Sequence, residues 1–254
     1  LLLKGPFFIM NTKDFLTLLS VSLLWGASFL FLRLLVLDGL EPLQIVSIRM
    51  ILAALFIAPF FIRKMKKHSF YDHGFSFLLI GLLNTALPFT MFAYASVSLG
   101  AGSLSILQAT VPILTALILF TLYKGEFSYF KLSGVMIGFA GLFLLVGPSG
   151  NLDLFASILC VVASLSYAIA GVYLAKTPAK ISNSFIGMGS IIVGAFLMAP
   201  FLLNYSNPFT TISSTSWLYL ALLGIVNTSL AYVIFIKLIK RIGPINSSFV
   251  TYLV

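Results

Sequence analysis

FSFLLIGLLNTALPFTMFAYASVSLGAGSLSILQATVPILTALILFTLY, residues 75–123, is two apolar runs joined by a Gly-containing turn. Each run carries an amide side chain four positions ahead of a proline: Asn84 before Pro88, and Gln108 before Pro112. Proline has no N–H to give to the carbonyl four residues back, so both prolines are expected to free the carbonyls of these amide residues. Both pairs fall near the middle of their runs. Polar groups at such depth in a bilayer are tolerated where they face protein or a water-filled cavity. One reading makes this hairpin the wall of a substrate path; the other makes it two kinked helices whose amides bond to neighbouring helices. Ser105, Gln108, Pro112 and Thr115 recur at helical spacing and form one polar stripe on the second run.

The remainder of the chain has the same character. Of its 254 residues 60% are hydrophobic and 8% charged, with a mean hydropathy of +1.12, whereas about a quarter of residues are charged in a soluble domain. The chain therefore reads as an all-α polytopic membrane protein. A helical span needs about 20 apolar residues, which divides the chain into spans Phe15–Leu37, Pro42–Ile62, Phe75–Val97, Ala101–Tyr123, Phe130–Gly147, Leu152–Leu174, Ile181–Leu203 and Trp217–Ile236, with a ninth beginning at Pro244. The runs are too long, and too little alternating, for a β-barrel. The first is also too long for the apolar region of a signal peptide. The single cysteine, Cys160, lies within span 6 and excludes an intramolecular disulfide or a cysteine metal site.

The net charge of +9 resides in short loops rather than on a basic face, which argues against a nucleic-acid partner and for a topology signal. Lys4 and Lys13 precede span 1, and basic residues follow every even-numbered span: Arg63, Lys64, Lys66 and Lys67; Lys124 and Lys131; Lys176 and Lys180; Lys237, Lys240 and Arg241. The loops after spans 3, 5 and 7 have none, so the N-terminus is expected in the cytoplasm.

An offset of 143 lays Gly81, Asn84, Thr85, Phe92, Gly100 and Ser105 on Gly224, Asn227, Thr228, Phe235, Gly243 and Ser248. An offset of 141 lays Ala58-Pro59-Phe60 on Ala199-Pro200-Phe201, and 142 lays Trp25 on Tyr167. The repeat unit is five spans, residues 15–147 and then 152–254. An odd number of spans inverts the second copy, a plan that puts binding sites near the midplane between copies. Ten spans are expected in all, the rest of the ninth and the tenth falling beyond Val254. Residues 1–9 precede the first methionine, Met10, and read as a fragment or an extended reading frame.

Trp25-Gly26-Ala27-Ser28-Phe29, Pro42 followed by Arg49 and Ala53, Gly125-Glu126 followed by Gly134, Gly138 and Gly141, and the proline-bearing span 4 together resemble the EamA family of the drug/metabolite transporter superfamily. The resemblance covers both copies. It implies ten helices in two inverted repeats, a central cavity lined mainly by spans 1, 3, 4, 6, 8 and 9, and transport of small metabolites, often efflux of amino acids or related compounds, across a bacterial cytoplasmic membrane. No cofactor is expected.

Chemistry-bearing residues fit that picture. The six acidic residues and both histidines lie at span ends or in loops, which leaves no midplane group to relay protons and removes the usual acid/base and metal constellations of a membrane enzyme. Facilitated diffusion or exchange is the expected mode. A membrane enzyme or lipid-handling protein is the alternative from another class, and a passive channel a third reading. Arg49 is the one charge well inside a span and is read as pairing or gating, against snorkelling to the surface. Glu126 is read as a loop anchor and the Gly134/Gly138 pair as helix packing. Trp25, Tyr94, Tyr167 and Tyr173 each put a polar handle inside a span. With Asn84, Pro88, Ser105, Gln108, Pro112, Thr115, Arg49 and Asn227, they are the expected substrate-path residues.

Overall fold

Among the described residues of the computed structural model, seven helices are long and apolar enough to cross a membrane. It describes residues 10–65, 73–122, 153–176, 183–205 and 212–254, with single positions at 129 and 209 and a few between 132 and 141. Most of span 5 and the Glu126 anchor lie outside them.

Span 1 runs Thr12–Leu37, opened by the Asn11 side chain, which accepts from the Asp14 N–H at 2.8 Å. It ends where Gly39 adopts φ 90° and the Leu40 N–H reaches back to the Leu35 carbonyl, a left-handed stop that glycine makes without a Cβ penalty. Span 2 is Pro42–Met65 and continues through Pro59. Span 6 is Leu154–Lys176, and span 7 is Asn183–Met198, tightening to a 3₁₀ turn over Ala199–Asn204. Span 8 reaches from Ser214 to Ile242, further than its apolar run, because Ser213 caps its start and its basic last turn remains helical past the apolar stretch. Gly243, at φ 83°, closes it, and Pro244–Ser248 and Val250–Leu253 begin span 9.

Spans 3, 4 and 8 are not straight α-helices. Span 3 is α-helical over Gly74–Gly81, π-helical over Leu82–Ala86 and α-helical again over Leu87–Ser98. In the π segment the Leu87 N–H bonds to the Leu82 carbonyl, five residues back. Continued by one residue, that register places Pro88 over Leu83, so the carbonyl left open is Leu83's rather than Asn84's as the α-register implies. The Ser166 hydroxyl of span 6 donates to it. Span 4 breaks at Ala109–Thr110 between helices Ala101–Gln108 and Val111–Leu122, and Ser164 of span 6 donates at 3.2 Å to the Leu107 carbonyl there. Two serines two residues apart, on opposite sides of one helix, thus supply donors to two breaks. Span 8 is π-helical over Leu222–Leu230, around Asn227-Thr228, without any proline.

Glycines set the closest helix approaches. A Cβ on Gly81 would stand 2.8 Å from the Ser190 carbonyl oxygen and 3.2 Å from the Gly194 nitrogen of span 7. One on Gly224 would stand 2.8 Å from the Arg49 carbonyl oxygen and 3.2 Å from the Ala53 nitrogen of span 2. At one end of the bundle Phe61, Phe77 and Phe185 join spans 2, 3 and 7 in a stacked and edge-on cluster with centroids 4.9–5.8 Å apart. On that side Asp14 of span 1 pairs with Arg241 of span 8 at 2.9 Å.

At the other end Asp38 accepts from the Ser213 and Ser216 hydroxyls, and Tyr205 donates to Glu41 at 3.1 Å. Burial and the Glu41 carboxylate push the Tyr205 phenol up to about 12, so it stays a donor. The Ser216 bond, then the Ser213 bond, hold the Asp38 carboxyl below its ordinary range. A carboxylate depressed by folding contributes stability above the ordinary range and loses it as pH falls through the depressed value. Melting of the purified protein should therefore drop further between pH 5 and pH 3 in the wild type than in Asp38→Asn, whose amide has no charge to lose.

Candidate functional site

Where the breaks of spans 3, 4 and 8 face one another, the bundle encloses a cavity. Its volume is about 70 Å³. Span 1 contributes Trp25, Ser28 and Phe29; span 2, Arg49; span 3, Asn84, Phe89 and Phe92. Gln108 and Thr115 come from span 4, Tyr167 and Gly171 from span 6, Asn227, Thr228 and Tyr232 from span 8, and Ser247, Ser248 and Thr251 from span 9.

The π segment of span 8 explains much of this wall. With its bonds shifted to five-residue spacing, Thr228 donates to the Leu223 carbonyl at 2.7 Å and accepts from Arg49 Nε at 2.8 Å. Ser229 donates to the Ala53 carbonyl at 2.9 Å. The Asn227 backbone carbonyl accepts from the Trp25 indole N–H at 3.0 Å, and the indole packs edge-on against Phe235 with centroids 4.6 Å apart. Arg49 is 5% exposed, and its guanidinium carbon sits 3.8 Å from the centroid of Phe89. It does not snorkel. Its partners are a hydroxyl and a ring, not a carboxylate.

Two amides of the wall are incompletely used. Gln108 and Asn227 are 6% and 2% exposed, and Gln108 Oε1 and Asn227 Nδ2 have no hydrogen-bond partner. Each such group costs about 1–3 kcal/mol when left unmade. Two of them around one cavity are an arrangement that a polar ligand would complete.

Seven of the expected path residues thus meet at the cavity: Trp25, Arg49, Asn84, Gln108, Thr115, Tyr167 and Asn227. Five stand outside it. Tyr94 is 43% exposed and faces outward, because Phe92, two positions earlier, takes the inner face and stacks on Tyr167. Tyr173 shares a hydrogen bond with Ser76 near the start of span 3. Ser105 closes its hydroxyl on the Gly102 carbonyl of its own turn. Pro88 and Pro112 are buried at the breaks and shape the wall without lining it. The stripe on span 4 is therefore divided by the break at Ala109–Thr110, and only Gln108 and Thr115 of it line the cavity.

Thr228, Tyr232, Phe89 and the serines of span 9 escaped the sequence reading as site residues. Thr228 carried a usable signal, since it stands at the repeat position of Thr85. Tyr232 and Phe89 carried none, because an aromatic in an apolar run defaults to packing or lipid contact.

Sequence and fold comparisons agree with this architecture. The model of the EamA-like transporter family matches residues 13–147 and again residues 154–254. An uncharacterized transporter, YoaV, of Bacillus subtilis (strain 168) is 25% identical over 247 residues, covering 93% of this chain and 82% of its own. An uncharacterized transporter of Archaeoglobus fulgidus is 29% identical over 260 residues, covering 96% of this chain and 86% of its own. A protein of known crystal structure, 14% identical, superimposes with a TM-score of 0.69 over 96% of this chain and 86% of that one; at that identity the likeness is one of fold. With both halves of an all-helical membrane bundle matched, the chain belongs to the EamA-like transporter family and is an integral, multi-pass membrane transporter consistent with the drug/metabolite transporter superfamily.

Proposed function

We propose that this transporter carries a small polar or amphipathic metabolite through the cavity by alternating access between two inverted five-span repeats, in a bacterial cytoplasmic membrane with its N-terminus in the cytoplasm. The observation that carries the reading is a cavity walled by both halves of the chain, with buried amides whose hydrogen bonds are incomplete. The repeat assignment draws support from two recurrences. Both Asn-Thr pairs, Asn84-Thr85 and Asn227-Thr228, lie in π-helical segments although only the first is followed by proline. Gly81 also meets span 7 at Ser190 and Gly194 as Gly224 meets span 2 at Arg49 and Ala53, and these partners stand 141 positions apart.

Transport proceeds by facilitated diffusion or exchange, the substrate's bonds to the wall shifting the balance between two openings. No carboxylate or imidazole lines the cavity among the described residues, and arginine does not deprotonate in this role. Counterflow in proteoliposomes loaded with a metabolite extract tests the reading. Alanine at Asn84, Gln108 or Asn227 should slow counterflow about tenfold or more, since losing one bond to a buried polar partner costs about 1–3 kcal/mol, while the amount of protein in the membrane stays unchanged. Normal counterflow by all three variants would instead make the amides packing devices.

A further inference from the structure

We infer that the cavity selects an organic monoanion: a carboxylate, or an anion of like geometry, on an apolar body with an uncharged hydrogen-bond donor, in preference to a zwitterion, a neutral molecule or a cation. The inference rests on the carrier reading above and names its substrate class.

Charge balance carries the argument. Arg49 is a guanidinium at 5% exposure, bonded to the Thr228 hydroxyl at 2.8 Å and seated on the Phe89 ring. Among the described residues no acidic side chain lines the cavity: Asp14, Asp38, Glu41 and Asp153 all sit at span ends. A buried charge is costly unless paired and hydrogen-bonded, and neutral partners solvate this one only in part. One bound negative charge brings the site to neutrality. A zwitterion would leave it as positive as before, and its ammonium would find no carboxylate here. A cation would make it worse.

Geometry sets the rest of the molecule. Guanidinium stacked on Phe89 retains the planar, forked edge that suits a carboxylate. Asn227 Nδ2, a buried amide donor without a partner, is a second group for an anionic oxygen. Gln108 Oε1, an acceptor without a partner, calls for a donor on the ligand, such as a hydroxyl. Between these polar points Trp25, Phe29, Phe92 and Phe235 form an apolar lining for a hydrocarbon or aromatic body.

Four probes of one skeleton separate the charge states: 3-phenyllactate, its primary amide, phenylalanine and 2-phenylethylamine. Binding is read in nanodiscs with the full-length protein by quenching of Trp25 fluorescence in a background where Trp217 and any further tryptophan are replaced by phenylalanine. Phenyllactate should bind at least tenfold more tightly than each of the other three. Arg49→Gln should erase that preference, and Arg49→Lys, which retains charge without the fork, should retain part of it. Equal or tighter binding of the amide, phenylalanine or the amine overturns the inference, as does binding of none of the four. The probe comparison in the protein with Arg49 intact stands without either Arg49 variant, should one fail to fold. Extract-driven counterflow by the same purified protein in proteoliposomes separates the two levels: flux without anion preference removes the inference alone, and no flux removes the carrier reading as well.

Discussion

Gly224→Leu should leave almost no folded protein in detergent, and Gly224→Ala should lower stability by about 1–3 kcal/mol, the usual cost of overpacking a filled interior. A Cβ there would lie 2.8 Å from the Arg49 carbonyl oxygen, 2.8 Å from the Leu52 Cβ and 3.2 Å from the Ala53 nitrogen. None of these is the far end of a flexible side chain. Span 8 would have to move off span 2, which would stretch the Arg49–Thr228 and Ser229–Ala53 bonds that tie the two helices. Gly81→Ala should behave alike, because its obstacles are backbone atoms of Ser190 and Gly194. Gly187→Ala is the control: its nearest neighbour is Ile236 Cδ1 at 2.8 Å, a side-chain tip that can rotate away. Thermal unfolding of the purified variants orders them. An equal loss for Gly187→Ala and Gly224→Ala would show that backbone contact is not what limits the approach.

The opposite behaviour is expected at Gly171, where a side chain should leave the fold intact and stop transport. Gly171 lines the cavity, and a Cβ built on it meets nothing within 4 Å. Leucine would fill much of a cavity of only about 70 Å³. Counterflow by Gly171→Leu should fall at least a hundredfold with unfolding temperature within a few degrees of wild type, and Gly171→Ala should retain most of its flux. A Gly171→Leu protein that transports normally would place the path elsewhere in the bundle.

The helices were legible because each is an apolar run of bilayer length, and a run needs no tertiary information to be seen. Their interiors were less legible. Pro88 marks the bend in span 3, yet which carbonyl it frees depends on whether the preceding turn is α or π, and the sequence carries the choice only as the Asn-Thr pair that recurs in span 8. Asking which polar groups stand at midplane picked out seven residues that line the cavity. The same question also picked out Tyr94 and Ser105, which stand off the cavity, since one extra residue in a π turn rotates everything after it and a serine can close on its own helix. Thr228 and Tyr232 required knowing that span 8 faces Arg49, a contact across 179 positions of chain.

The matched glycine contacts have a consequence for energetics across the membrane. On the two-repeat reading, Arg49 and Ser190 occupy corresponding places, 141 positions apart, under the glycines of the opposite halves. A guanidinium therefore stands in one half where a hydroxyl stands in the other. Two openings related by symmetry would be equal in energy and indifferent to voltage; at this pair of places only the first half carries charge. Any displacement of Arg49 along the membrane normal samples a potential drop, and a full unit charge crossing 100 mV changes free energy by about 2.3 kcal/mol. On the carrier reading proposed above, the empty carrier would be electrically polarised toward one opening, and a bound anion travelling with Arg49 would cancel that bias, so that voltage would act on the return of the unloaded protein rather than on the loaded step.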